Sequence, residues 1–359
     1  MRKLRCSVTI PSHRKAHMVT AHNAEDDGTQ IEQSNSGFLG HKKKTSIRRV
    51  DTSKADAPMR AFCHETVRVG VMGLLAEFMQ IKKESTPKEK LKKTGFDKNP
   101  DKNRYKDVYC IDDTRVVLTY PSGENDYIHA NYVGVEDDKE RFICTQAPMP
   151  NTIVDFWRMV WQVKSSTIVM LCDIMECGKK KCEQYWPEKV GESQKHGTLT
   201  ISNSKVLQVE ESLAISKLEV TDGTTTLNVD HIWWSHWPDR GVPNDYLAPF
   251  RLLNRLKGLT HIVIHCSAGV GRTGTIVGFE IANQKFNKGE KVSLHDIVTE
   301  LRLQRHNSVQ MDVQYVYMHR CVIKLCTNKK AISEEEVAKF VAQFDRLAEE
   351  RGAPPKKKK

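Results

Sequence analysis

Apolar and polar residues alternate along the chain with two different periods, and each period predicts its own kind of element. A period of two, or a short wholly apolar run, is typical of strands. Strands are predicted for residues 126–133, 142–148, 167–172, 198–227 and 260–264. The longest of these stretches predicts two or three antiparallel strands with a turn at Asp222-Gly223.

Apolar residues that recur every three or four positions predict helices. Helices are predicted to begin near Thr66, Thr152, Thr275 and Ser293, and within residues 308–322 and 333–351. The last of them has a Ser N-cap and one apolar face. That face either packs on the domain or binds a partner.

The ends of the chain differ from its middle. Residues 1–58 have low hydrophobicity and no sustained period, which predicts a disordered basic tail. Residues 59–327 are predicted to form one domain, since 359 residues can bury one sizeable core. Residues 328–359 hold the last helix and a Lys-rich tail.

Charge is concentrated in these tails. Of the net charge of +11, residues 1–60 contribute 12 basic and 6 acidic side chains and residues 328–359 contribute 9 and 6. Basic tails are usually solvated, but they can also bind an anionic surface or a protein partner. We expect no specific binding to nucleic acid.

The sequence also argues against membrane insertion, metal binding and disulfides. No apolar run approaches the roughly 20 residues of a membrane span, and the basic N-terminus lacks the apolar core of a signal peptide. The ten cysteines are scattered without CxxC pairs, which is typical of free thiols in a reducing compartment. We expect a cytoplasmic protein without metal or cofactor, and the basic runs leave nuclear import as an alternative.

The richest chemistry lies in residues 260–275, which read as strand, Gly-rich loop and helix. Such a loop leaves backbone N–H groups unpaired at a helix N-terminus, and these groups bind anions. Arg272 can add a bidentate contact to phosphate oxygens. The amides, the helix dipole and Arg272 all favour the thiolate of Cys266. A thiolate that faces a bound phosphate indicates phosphoryl transfer.

The segment HCSAGVGRTG resembles the signature loop of the tyrosine-specific protein phosphatases. The resemblance implies one α/β domain with a twisted, highly mixed sheet flanked by helices. It also implies a cysteinyl-phosphate intermediate on Cys266, with Arg272 as the phosphate clamp and Thr273 among the catalytic residues. The substrate phosphate would bind along the loop residues Ser267, Ala268, Gly269, Val270 and Gly271.

Two further segments extend the resemblance. HWPDRGVP matches the family's general-acid loop, in which Asp239 donates a proton to the leaving tyrosine oxygen and then accepts one from water, beside the supporting Trp237. This role requires a protonated Asp239, so we expect burial and nearby negative charge to raise its pKa. KNRYKDV matches the loop whose tyrosine, here Tyr105, walls the phosphotyrosine slot, while Asp107 accepts hydrogen bonds from the substrate backbone.

The family pattern gives roles to six more residues. Gln310 and Gln314 match the glutamine loop, and Gln310 is the better candidate to position the hydrolytic water. Glu176 is implied to pair with Arg272, Lys181 to reach toward the general-acid loop, and Tyr185 to hydrogen-bond His265. The chain departs from the pattern at His129, Ala147, Gln162, Arg240 and Met311. Ala147 puts a close backbone approach in doubt, and Met311 the geometry of the glutamine loop.

The sequence therefore predicts an enzyme that dephosphorylates phosphotyrosine-containing proteins. Two alternatives remain. A module that only binds phosphotyrosine would lack the cysteine, the arginine or the acid, and all three are present. A dual-specificity phosphatase would lack the KNRY motif and the arrangement of the WPD and glutamine loops.

Overall fold

The computed structural model describes residues 53–85, 87–135, 138–238 and 241–351. The helices are α1 (Ser53–Glu84), α2 (Thr94–Lys98), α3 (Ile153–Gln162), α4 (Ala248–Arg255), α5 (Gly271–Lys288), α6 (Leu294–Gln304), α7 (Asp312–Asn328) and α8 (Glu334–Glu350). The strands are β1 (Arg115–Val117), β2 (Tyr127–Val135), β3 (Asp138–Thr145), β4 (Thr167–Met170), β5 (Met175–Glu176), β6 (Lys179–Lys180), β7 (Ser193–His196), β8 (Leu199–Glu210), β9 (Leu213–Thr221), β10 (Thr226–Trp234) and β11 (Ile262–His265).

Nine of these strands form one sheet in the order β1-β2-β3-β11-β4-β10-β9-β8-β7, and β5 pairs with β6 in a separate ribbon. The four central strands β3, β11, β4 and β10 run parallel to one another. The outer strands pair antiparallel. The highly mixed α/β sheet that the resemblance implied is therefore confirmed.

The long antiparallel stretch forms three strands, β8 to β10, and its last turn lies where the sequence placed it. The carboxylate of Asp222 accepts hydrogen bonds from the backbone N–H groups of Thr224 and Thr225, at 2.9 and 2.8 Å. Such a carboxylate replaces backbone partners in a tight turn. β10 continues to Trp234 because its second half pairs in parallel with the buried strand β4.

The first helix is longer than predicted, since α1 begins at Ser53 and not near Thr66. It is broken at Gly70, which has φ 67° and ψ 171°. Glycine adopts this backbone conformation without the cost that a Cβ would add. Met59, Phe62 and Cys63 in the first half are buried, so this half also packs on the domain. The short helix α4 was not predicted at all.

The last helix, α8, packs on the domain. Its residues Val337, Phe340, Phe344 and Leu347 are buried, and it lies against α1 and α7. Ser333 Oγ accepts a hydrogen bond from Glu336 N, and Glu336 Oε2 accepts one from Ser333 N, which completes a capping box. Of the two alternatives for this face, the structure supports packing.

The centre of the sheet places the Gly-rich loop. Strand β11 is fully buried between β3 and β4, and α5 begins six residues after its last residue. Ligand sites of α/β sheets typically lie at the carboxyl ends of such parallel strands.

None of the described helices is long and apolar enough to cross a membrane. Residues 1–52 of the predicted tail, and Asp239 and Arg240, lie outside the described ranges.

Buried histidines should make the fold sensitive to mild acid. Burial lowers the pKa to about 3 for His129, His231 and His319 and to about 4 for His265. The unfolded chain takes up these protons below about pH 6.5, whereas the native state does not, so stability should fall as pH drops from about 6.5 toward 4. Each histidine should contribute about 1 kcal/mol of this loss by pH 5.5.

Urea unfolding at pH 7.5, 6.5 and 5.5 measures this loss. His319→Gln should flatten the dependence by about one proton, because it removes one histidine whose pKa is lowered by burial. Equal slopes for the parent and the His319 variant would contradict the account.

Candidate active site

The loop between β11 and α5 folds around Cys266. Gly269, at φ 69°, is required by close packing, since a Cβ there would lie 2.0 Å from the carbonyl oxygen of Thr145. Its N–H donates to Cys266 Sγ at 3.3 Å. The sulfur of Cys266 therefore accepts a backbone N–H beside the N-terminus of α5, at the positive end of the helix dipole.

The carbonyl groups of the same loop accept hydrogen bonds on the side that faces away from Cys266. Five consecutive carbonyl oxygens each accept a hydrogen bond, four of them from a neighbouring segment and one from the adjacent His265. The donors are His265 Nδ1 to Cys266 O, Ala147 N to Ser267 O, Arg305 Nη2 to Ala268 O, Arg305 Nε to Gly269 O and Val309 N to Val270 O, at 2.9 to 3.1 Å. Because a peptide unit is planar, a carbonyl held outward turns the N–H of the same unit toward the opposite side.

Arg305 supplies two of these donors and is fully buried. Its third nitrogen, Nη1, donates to Asn131 Oδ1 at 2.7 Å. No role was predicted for Arg305 from the sequence. A buried arginine needs several hydrogen-bond acceptors and so usually organises its surroundings, but the sequence does not show that Arg305 is buried.

Arg272 is held at the edge of the loop by the partner that the resemblance implied. Its Nη2 donates to Glu176 Oε2 at 2.9 Å, and Nη1 donates to Glu176 Oε1 and to the carbonyl of Leu171, the latter at 2.9 Å. Glu176 also accepts a hydrogen bond from Asp173 N at 3.0 Å. The guanidinium is therefore fixed in one orientation.

These groups surround a cavity of about 100 Å³. Its lining consists of Tyr105, Asp107, Val108, Lys181, Cys266, Ser267, Ala268, Gly271, Arg272, Gln310 and Gln314. All of them except Val108 were predicted from the sequence. Other predicted residues lie behind the lining, among them Thr273, whose buried hydroxyl has no hydrogen-bond partner among the described residues. A much larger apolar cavity of about 570 Å³ shares no lining residue with this one.

Tyr105 stands at the wall of the cavity, with Oη 2.8 Å from Ser267 Oγ. Its loop is held by Gln146, whose Oε1 accepts from Arg104 N at 2.9 Å and whose Nε2 donates to Lys102 O at 2.8 Å. Gln146 was missed, since its segment was interpreted as scaffold. The backbone approach that was in doubt at Ala147 is present, because Ala147 N donates to Ser267 O at 3.0 Å.

The side chains of Gln314 and Gln310 differ in their hydrogen bonds and in their exposure to the cavity. Gln314 is buried, and its Oε1 accepts from the backbone N–H groups of Gln310 and Met311 at 3.2 and 3.1 Å. It thus supports the glutamine loop despite the Met311 departure. Gln310 is partly exposed and lines the cavity.

Behind the loop, Tyr185 Oη lies 2.7 Å from His265 Nε2, as the resemblance implied. Burial keeps the pKa of His265 near 4, so its ring is neutral at neutral pH. His129 occupies the position of another departure and satisfies one nitrogen, since Nε2 lies 2.9 Å from Val108 O. Lys181 contributes its carbonyl oxygen, which accepts from Ser267 Oγ at 3.2 Å.

The general-acid loop is described at its two ends. Trp237 is buried against Trp234, with ring centroids 4.9 Å apart, and its Nε1 donates to Gly241 O at 3.2 Å. This bond connects the residues on either side of Pro238, Asp239 and Arg240. The position of Asp239 itself lies outside the described residues, so its role stays a prediction. The described residues contain no group of three or more His, Cys, Asp or Glu that could hold a metal ion.

Comparisons with known proteins connect this geometry to a family. The family model described as Protein-tyrosine phosphatase matches residues 99–324. The receptor-type tyrosine-protein phosphatase eta of Gallus gallus is 38% identical over 241 residues, which are 65% of this chain and 17% of that protein. The tyrosine-protein phosphatase non-receptor type 18 of Mus musculus is 35% identical over 237 residues, which are 63% of this chain and 52% of that protein.

A solved structure, of PTPN18 in complex with HER2 phosphopeptides, matches with a TM-score of 0.69 at 32% identity and covers 74% of this chain and 98% of that one. The chain spans less than two thirds of the length of either curated relative. Since the family model covers more than half of the chain, from residue 99 into α7, and includes every residue of the cavity, the chain belongs to the protein-tyrosine phosphatase family.

Proposed function

We propose that the protein hydrolyses phosphotyrosine in proteins through a cysteinyl-phosphate intermediate. The observation that carries the proposal is the loop around Cys266, in which outward carbonyls and Arg272 leave inward donors for a phosphate beside a sulfur nucleophile. Such preorganised donors stabilise charge that develops in a transition state.

In the first step, Cys266 Sγ attacks phosphorus and the bond from phosphorus to the tyrosine oxygen breaks. The loop amides and Arg272 hold the three remaining phosphate oxygens. Asp239 gives its proton to the leaving oxygen, which departs as a neutral tyrosine hydroxyl. The phosphoryl group is then bound covalently to Cys266.

In the second step, water attacks the phosphorus of this intermediate and the sulfur leaves as a thiolate. Gln310 is the candidate to position the water, because it faces the cavity while Gln314 is occupied by backbone N–H groups. Asp239, now a carboxylate, accepts the proton of the water. Phosphate leaves, and the enzyme returns to its starting state.

The wall formed by Tyr105 supports selectivity for phosphotyrosine. Its hydroxyl lies against Ser267 at the loop, so the ring borders the path from the surface to Cys266. A phosphate on a tyrosine ring reaches farther from the backbone than one on serine. The similar PTPN18 binds HER2 phosphopeptides. We therefore propose phosphotyrosine-containing proteins as substrates, with Asp107 as an acceptor for the peptide backbone.

The cellular location of this activity is inferred from the similar proteins and from the cysteines. The similar proteins include both receptor and non-receptor types. The likeness to the non-receptor type 18 and the free cysteines favour action in the cytoplasm. The basic tails are available to address an anionic surface or a protein partner, and the catalytic proposal does not depend on them.

Variants of the nucleophile and the acid test the mechanism. Asp239→Ala should lower kcat about 10²- to 10⁴-fold with KM unchanged or lower, because it removes a proton transfer and leaves the ground-state contacts. Cys266→Ser should abolish turnover, because a serine hydroxyl is barely ionised. The exposed Asp113 and Cys177 provide the controls Asp113→Ala and Cys177→Ser, which should match the parent in steady-state assays. A parent protein that binds phosphotyrosine peptide as Cys266→Ser does, and releases no phosphate, would establish the binding module instead.

Substitution of Tyr105 tests selectivity. Tyr105→Ala should lower kcat/KM for phosphotyrosine peptides, whereas Tyr105→Phe keeps the ring, loses only the contact to Ser267 and should lose much less. Phosphoserine peptides of the same sequence should be poor substrates for the parent. Comparable turnover of both peptide types would place the protein in the dual-specificity class.

A further inference from the structure

Tyr185 lies between two buried histidines. Its Oη is 2.7 Å from His265 Nε2 and also 2.7 Å from His231 Nε2. All three side chains are almost completely buried. The sequence indicated only the first of these contacts, and His231, on β10, carries no role in the mechanism above.

The directions of these hydrogen bonds follow from the number of protons available. His265 Nδ1 lies 3.1 Å from the carbonyl oxygen of Cys266, which can only accept, so Nδ1 carries the proton. Burial keeps the pKa of His265 near 4 and that of His231 near 3, so each ring is neutral and has one N–H. His265 Nε2 must therefore accept a hydrogen bond from the hydroxyl of Tyr185.

The hydroxyl of Tyr185 has one hydrogen to donate, and it donates this hydrogen bond to His265. The oxygen of Tyr185 must then accept from His231 Nε2, which fixes the proton of His231 on that nitrogen. His231 Nδ1 correspondingly has no hydrogen-bond partner among the described residues. The chain of donors therefore runs one way, from His231 to Tyr185, to His265 and to the Cys266 carbonyl.

The end of this chain is the first peptide unit of the phosphate loop. The Cys266 carbonyl belongs to the same planar unit as the N–H of Ser267, so a hydrogen bond to that oxygen sets the direction of that N–H. Hydrogen bonds in a buried chain strengthen one another. The chain therefore connects β10 to the amide donors beside Cys266.

We propose that His231 is a positioning residue, which fixes the hydroxyl of Tyr185 and thereby the peptide unit between Cys266 and Ser267. The proposal rests on the phosphatase function proposed above. Trp186 holds the ring of His231 in place by stacking, with centroids 4.3 Å apart and planes 26° apart. Met170 Sδ, 3.9 Å from Tyr185 Oη, is the competing acceptor to which the hydroxyl can turn when His231 is absent.

Substitution of His231 by glutamine or by methionine separates the effect of its N–H donor from the effect of its size. The two side chains have similar size, but only glutamine has an N–H that can replace Nε2. His231→Met should lower kcat/KM for a phosphotyrosine peptide about 2- to 10-fold, the range expected for one hydrogen bond, and His231→Gln should stay closer to the parent. The inhibition constant of inorganic phosphate should rise with His231→Met by a similar factor, because the loop amides bind that anion directly.

The decisive arm repeats these changes in the Tyr185→Phe background. Without the hydroxyl, His231 has no route to His265, so His231→Met should cause no further loss there. Losses that multiply in the double variant, or equal values for the Gln and Met variants, would overturn the proposal. A parent without turnover would instead refute the proposed function, which keeps the two failures distinct.

A variant of a second buried histidine controls for a general loss of stability. His319 is also a buried, neutral histidine that stacks on an aromatic ring, here Phe62 at 5.0 Å, but it hydrogen-bonds Thr66. His319→Met should lower the unfolding midpoint in the same way as His231→Met and leave the phosphate inhibition constant unchanged. A loss of phosphate affinity in both variants would reduce the role of His231 to stability.

Discussion

The loop around Cys266 can turn its amide hydrogens inward because its carbonyl oxygens are hydrogen-bonded on the other side. An unpaired buried carbonyl costs free energy, and left alone the loop would rotate its peptide units to pair them. Five consecutive carbonyls are instead hydrogen-bonded, four by donors from other segments and one by the ring of the adjacent His265. The inward donors thus exist before any phosphate arrives, which removes a cost of reorganisation from the reaction.

This constraint explains why so much of the domain is devoted to residues that contact no substrate. Arg305 reaches the loop from the end of α6, Ala147 from the end of β3 and Val309 from the segment before α7. Each comes from an element packed in the core, so the loop inherits the rigidity of the fold. Arg272 follows the same logic, since Glu176 and the Leu171 carbonyl hold its guanidinium before a substrate binds.

The sequence predicted what is local and what a motif records. The strand, loop and helix around Cys266 followed from one contiguous segment. The pairing of Glu176 with Arg272 and the contact of Tyr185 with His265 join residues 96 and 80 positions apart, and they came only from the family resemblance. Arg305, Gln146 and His231 were missed because their roles depend on tertiary contacts that no quoted motif assigns. Arg305 and Asn131, for example, are 174 residues apart in the chain. No pattern within one segment records such a contact, whereas the role of Asp239 still rests on the motif alone.

The central claim is that the phosphoryl group passes through Cys266, and the most direct test is to trap it there. The enzyme is mixed rapidly with excess phosphotyrosine peptide, quenched within one turnover and digested for mass spectrometry. Removal of the Gln310 side chain by Gln310→Ala should slow hydrolysis and raise the amount trapped. The account predicts one phosphoryl group on the peptide that contains Cys266. Phosphate on another residue, or full turnover without any covalent adduct, would contradict it.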